Sequence, residues 1–204
     1  MIIDLRNDRS PAPVRGKNKI KCVNGQPVIR RPEDIDAIVL HQTACDFGAK
    51  KGEPRYRRAL DVACHALTFK TGETVLAAPL LWYVNHGNGF NPRSLGFEVE
   101  GHYPGIPGRG PGTDVFTPEH RAAFREGFKA LVRLAESAGI RLRYLWAHRQ
   151  SSATRRADPG FEIWQEAEDL AFALGLRTLP NLVIGSGRPI PGAWRVRTPA
   201  PEPY

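Results

Sequence analysis

Ala37-Ile-Val-Leu-His-Gln-Thr43 is where the folded part of the chain declares itself. A short β-branched apolar run of this kind makes a buried strand, and it delivers His41 to the strand's end. The arrangement recurs at Leu142-Arg-Tyr-Leu-Trp-Ala-His148. Between the two, His65-Ala-Leu-Thr-Phe69 and Glu73-Thr-Val-Leu-Ala77 read as strands around the turn Lys70-Thr-Gly72. Ser94-Leu-Gly-Phe-Glu-Val-Glu100 alternates apolar and polar from Leu95 to Val99, as a strand with one buried face does.

Helical signals separate these runs. Residues 54–64 read as a helix with Tyr56, Leu60 and Ala63 near one face. Thr117-Pro-Glu-His120 starts a longer helix, because the threonine oxygen caps it and Pro118 fits the first position, where its missing N–H costs nothing. Phe124, Phe128, Leu131, Leu134 or Ala135, and Ala138 follow at helical spacing, and Gly139 ends the run. A last helix is expected from about residue 161 to 174. Strands alternating with helices predict one α/β domain with a central mixed sheet flanked by helices. The domain is expected over residues 32–176, after an extended arm at 1–31 and before a proline-rich tail at 177–204. Gly101 to Gly112 is rich in glycine and proline and reads as a surface flap.

Composition fits this organisation. A chain of 204 residues with 41% hydrophobic and 25% charged side chains is an ordinary globular composition, which excludes collagenous, coiled-coil and wholly disordered chains. No run approaches the roughly 20 apolar residues of a membrane span. Met1-Ile-Ile-Asp-Leu-Arg-Asn-Asp8 lacks the basic-then-apolar order of a secretory signal, so cytoplasmic synthesis without such a signal is expected. The formal charge of +8 favours polyanionic partners. The basic residues are scattered and form no nucleic-acid-binding fingerprint, so no specific nucleic-acid partner is expected. Cys22, Cys45 and Cys64 include no C-x-x-C pair, which argues against a disulfide scaffold, although spacing leaves a Cys45–Cys64 pair open. The sequence leaves the oligomeric state open.

Of the six histidines, His120 and His102 read as surface residues and His65 as a packed, hydrogen-bonded one. His41, His86 and His148 each end or follow a core element and enter a loop, where function concentrates. Ten residues after His148 comes Asp158 in Ala157-Asp-Pro-Gly160, at a turn that Pro159 and Gly160 define. Two imidazoles and a carboxylate make a three-ligand zinc site with one position open. The helical H-E-x-x-H pattern is absent. A rival reading, a cysteine hydrolase on Cys64 or Cys45, is weakened because adjacent Cys64 and His65 would point to opposite faces of a strand.

Taken together, His41-x-Thr43, Asn85-His-Gly87, Ser94-x-Gly-Phe-Glu98-x-Glu-Gly101, Ala147-His148 and Arg156-x-Asp-Pro-Gly160 resemble, in order and spacing, the zinc-dependent N-acetylmuramoyl-L-alanine amidases. That family includes phage endolysins, a muropeptide-recycling amidase and the peptidoglycan recognition proteins. The resemblance spans about residues 36–172. It implies a recognition-protein-like amidase fold, a Zn2+ cofactor on His41, His148 and Asp158, and Glu98 as catalytic acid–base residue. Glu100 is a possible substitute for Glu98, with a structural role preferred. His86, and Trp82 just before it, are implied to line the substrate groove. Arg156 stands where many relatives carry lysine, and is expected to stabilise the oxyanion.

The implied reaction is hydrolysis of the amide between N-acetylmuramic acid and L-alanine in peptidoglycan or soluble muropeptides. Without a signal, the enzyme would either recycle muropeptides in the cytoplasm or act on the cell wall after holin release or injection. The alternatives are a non-catalytic peptidoglycan-binding module and an amidase-fold enzyme acting on another amide.

Overall fold

The computed structural model describes residues 1–106 and 112–195. Its elements run β1 (Ile2–Asp4), β2 (Cys22–Val23), β3 (Gln26–Pro27), β4 (Ala37–Gln42), β5 (Ala66–Thr68), β6 (Thr74–Leu76), β7 (Ser94–Val99), α1 (Pro118–Ser137), β8 (Tyr144–Ala147), α2 (Phe161–Ala173) and β9 (Arg177–Thr178). The apolar run at Ala37 forms a strand with every residue buried. It is buried on both faces because it lies inside a seven-stranded sheet of order β1-β6-β5-β7-β4-β8-β9. All neighbours are parallel except β5 and β6. The fold is therefore a single α/β domain around a mixed sheet; β2 and β3 form a separate hairpin.

Strand alternation decides what each face carries. Ile38 and Leu40 of β4, Leu95, Phe97 and Val99 of β7, and Leu145 and Ala147 of β8 join one apolar cluster with side chains of both α-helices. Phe97 meets Phe124 and Phe128 edge-on or tilted, with ring centres 5.4 and 5.9 Å apart. Both α-helices thus cover the same face of the sheet. The intervening residues point the other way: Ala37 and Val39 pack there with Trp146 and Phe90. That face, which neither α-helix covers, also receives His41, Ser94, Gly96, Glu98 and His148.

Several expectations need correcting. The stretch at 54–64 makes only a 3-10 helix, Arg55–Asp61, with Ala59 its sole buried residue. Tyr56, Ala59 and Leu60 do pack against a small apolar cluster with Cys64 and Phe69, but the segment is only seven residues long and the chain must enter β5 at Ala66. The N-terminal arm does more than lie over the domain, because Ile2–Asp4 pairs in parallel with β6 as an edge strand. The loop after His86 coils into a 3-10 turn, Asn88–Arg93. His120 is buried, not exposed: Thr117 caps α1 as expected, but the first turn packs beneath Tyr103, whose hydroxyl lies 2.9 Å from His120 Nδ1.

The flap begins as packed structure, with Tyr103 fully buried; residues 107–111 of the flap lie outside the described residues. The tail wraps the domain as far as it is described. Thr178 closes the sheet edge, Ile184 N–H donates to the Gln150 carbonyl at 2.8 Å, and the buried Trp194 donates its indole N–H to the Gly105 carbonyl. Cys22, Cys45 and Cys64 are all free thiols. Cys64 is buried, and burial pushes its pKa far up, which counts against Cys64 as a nucleophile. Among the described residues, no helix is long and apolar enough to cross a membrane.

Candidate metal centre

Three adjacent parallel strands, β7, β4 and β8, end side by side, and ligand sites of open α/β sheets lie beyond such carboxyl ends. The register places His41 directly opposite Glu98, and Leu40 opposite Ala147, so that His148 follows at the same level. Asp158 arrives from the turn ahead of α2. Gly160 permits that turn: its φ is +105° and a Cβ there would lie 2.7 Å from Tyr103 Cβ.

His41, His148 and Asp158 are all buried and offer ligand atoms within 4.8 Å of one another. His41 Nδ1 lies 2.9 Å from His148 Nδ1, which in turn lies 3.0 Å from Asp158 Oδ2. The other carboxylate oxygen, Oδ1, is held by the Gln42 backbone N–H at 2.9 Å. Burial first, then the His148 and His86 imidazoles, drives the His41 pKa well below its ordinary value, so it stands as a neutral ring. Two ring nitrogens face each other beside a carboxylate here. One cation between them satisfies both lone pairs and the negative charge, so the donor set fits a divalent metal such as zinc.

Glu98 borders this group with its Oε2 atom shut from solvent and unpaired among the described residues. Burial, and then the charge of Asp158, raise its pKa well above the usual carboxylate range. Glu100 is fully saturated: both oxygens lie 2.6 Å from Arg55 Nη2, and it also accepts from the backbone N–H of Phe47 and Lys70 at 2.7 and 2.9 Å. The two glutamates thus sit in different environments, Glu98 with an unpaired oxygen beside the group and Glu100 built into the frame.

Of the two residues expected in the groove, one is buried and the other half-buried. His86 is buried behind His41, its Nδ1 3.0 Å from His41 Nε2. Trp82 is half-buried beneath the N-terminal segment, bridged to Ile29 and packed with Ile20, Ala78 and Val84. Arg156 is exposed, while its neighbour Arg155, also exposed, is the arginine whose charge bears on His41 and Glu98. Sequence reasoning missed Gln42. Its side-chain N–H groups donate to the carbonyls of Ala157 at 2.7 Å and Tyr103 at 3.1 Å, and its amide oxygen accepts from Tyr103 N–H at 2.5 Å. It thereby ties the Asp158 turn and the flap to β4; its one legible signal was its place next to His41.

A family model for N-acetylmuramoyl-L-alanine amidases matches residues 31–161. The chain belongs to this amidase family. No curated protein matches it. Among solved structures, the amidase fold is shared with the endolysin amidase LysCS from Clostridium intestinale, at 15% identity and a TM-score of 0.51, covering 87% of this chain and 97% of that one. It is shared with the Ph2119 endolysin from a Thermus scotoductus bacteriophage, at 21% identity and a TM-score of 0.52, covering 87% and 100%. A third is peptidoglycan recognition protein LE bound to tracheal cytotoxin, a monomeric diaminopimelic acid-type peptidoglycan, at 18% identity and a TM-score of 0.51, covering 78% and 91%.

Proposed function

We propose that this amidase is a zinc-dependent hydrolase of the bond between N-acetylmuramic acid and L-alanine in peptidoglycan or its soluble fragments. The observation that carries the proposal is the buried group His41, His148 and Asp158 with Glu98 beside it, whose Oε2 has no partner among the described residues. These three residues would hold the metal, which when bound supplies Lewis acidity to the scissile carbonyl and to water. Glu98 takes a proton from the attacking water and returns it to the departing amine, so that hydroxyl joins the lactyl carbonyl carbon and the L-alanine nitrogen leaves protonated. A carboxyl raised by burial suits both halves of that transfer, since its pKa is brought towards the working pH. Arg156, with Arg155 beside it, places positive charge near the developing oxyanion.

The endolysin neighbours support hydrolysis of the wall, and the cytotoxin-bound neighbour supports a peptidoglycan fragment as ligand. The net charge of +8 favours an intact anionic wall over a soluble fragment, reached after holin release or injection. Mass spectrometry of purified sacculi and of soluble anhydromuropeptides incubated with the protein tests this reading. Peptide stems beginning at L-alanine and peptide-free muramic acid are expected. Sacculi bound but left uncut would make the chain a non-catalytic binding module, and a cleaved amide elsewhere would make it an amidase of another bond.

A further inference from the structure

His86 is buried. It stands between His41 and Ser94, on the side of His41 away from His148. Its Nε2 lies 3.2 Å from Ser94 Oγ and 3.4 Å from the Ser94 carbonyl oxygen. Ser94 has a single hydroxyl proton, which it donates to the Phe90 carbonyl at 2.7 Å. Both Ser94 oxygens near His86 are therefore acceptors, and His86 Nε2 must carry the hydrogen. In a neutral imidazole the other nitrogen is then bare, so His86 Nδ1 accepts from His41 Nε2 across 3.0 Å. His41 in turn keeps its Nδ1 bare, and that is the atom facing His148 and Asp158.

The ring is built into place. Asn91 Oδ1 accepts from the backbone N–H of His86 at 3.0 Å and of Gly87 at 2.5 Å, which fixes the loop. The ring itself lies flat on β7 over Gly96, where a Cβ would come within 2.6 Å of His86 Cγ. The glycine of the Gly96-Phe-Glu98 strand is thus explained by His86.

We infer that His86, oriented by Ser94, is a positioning residue that fixes His41 in the tautomer presenting Nδ1 to the metal. This deepens the proposed metal role of His41 and rests on it. Partners of this kind typically change metal affinity by about 10- to 100-fold. A groove residue would instead alter substrate affinity and leave the metal alone.

Two measurements test the inference. Zinc affinity, read by competition with a chromogenic chelator, should fall by about 10- to 100-fold in His86→Ala. His86→Asn, whose side-chain oxygen can accept where Nδ1 did, should recover much of that loss. Zinc bound equally well by wild type and His86→Ala overturns the inference. The second measurement needs no variant: nitrogen-15 NMR of histidine-labelled, metal-free protein at neutral pH should show His41 protonated at Nε2 and bare at Nδ1, and the opposite tautomer overturns the inference even if the variants fail to fold. Wild-type protein that binds no zinc would instead defeat the proposed function, while the NMR measurement would still decide the tautomer.

Discussion

At the scale of single residues, the environment of a carboxylate decides its work. Glu98 and Glu100 are two positions apart on one chain. One has an unpaired oxygen and a raised pKa, and the other accepts from a guanidinium and two backbone N–H groups. Glu98→Gln should therefore keep fold and zinc while lowering kcat by about 10²- to 10⁴-fold, the usual contribution of a general acid–base group. Glu100→Gln should act on stability instead, because it leaves Arg55 without its counter-charge, and breaking such a buried pair costs about 3 kcal/mol or more. Urea unfolding alongside steady-state kinetics on a defined muropeptide separates the two; a reversed pattern would exchange the assignments. The arginine pair is settled by the same kinetics. Arg156→Ala should lower kcat by about 10²- to 10³-fold with little change in KM, and Arg156→Lys should restore part of it, since charge returns without the planar fork. If Arg155→Ala carries the loss and Arg156→Ala none, the oxyanion charge belongs to Arg155, the one whose field reaches Glu98.

At the scale of elements, the parts that were legible are those whose pattern is local. β4, β7 and β8 announce themselves by apolar runs, and the helix Pro118–Ser137 by its cap and spacing. His41 and His148 follow from the strands they end, and Asp158 from its Asp-Pro-Gly turn. What stayed hidden depends on distant chain. Gln42 bonds to Asp158 across 116 positions. The strand Ile2–Asp4, at three residues, is shorter than any readable alternation. His120 was misread because its cover, Tyr103, comes from the flap and not from α1. That misreading has a measurable side. Burial holds His120 down at about 4 from an ordinary 6.5, so it stays neutral in the fold while the unfolded chain protonates. Stability from this group is full above about pH 6.5 and is lost as pH falls towards 4. The loss is at most about 3 kcal/mol for a shift of that size. Urea unfolding of wild type and His120→Gln at both ends of that window, at matched zinc, should show a shallower pH slope in the variant; parallel slopes would place the acid sensitivity in the other buried histidines.

At the scale of the whole molecule, the candidate site lies on the sheet face opposite the two α-helices, and segments outside the matched family region brace the elements that form it. The N-terminal segment supplies Arg30, which donates to the carbonyls of Leu80, Asn91 and Ser94 and so braces the loop that holds His86. The C-terminal segment supplies Trp194, fully buried, with the Arg149 guanidinium 4.7 Å over its ring and its indole N–H on Gly105. Arg149 also donates to the Arg156 carbonyl, and its backbone N–H donates to the Asp158 carbonyl at 3.2 Å. The tail is thus tied through one arginine to the turn that presents Asp158, the third proposed metal ligand. Trp194→Ala should cost about 3–5 kcal/mol as a large buried side chain is lost. It should also weaken zinc binding beyond what destabilisation alone produces, because the Asp158 turn loses its backing. Zinc affinity measured well below the unfolding temperature, with Trp164→Ala in α2 as an equally buried control on the same core, discriminates the two effects. Equal zinc affinity in both variants would make the tail a source of stability only, and selective weakening in Trp194→Ala would make it part of the metal centre's support.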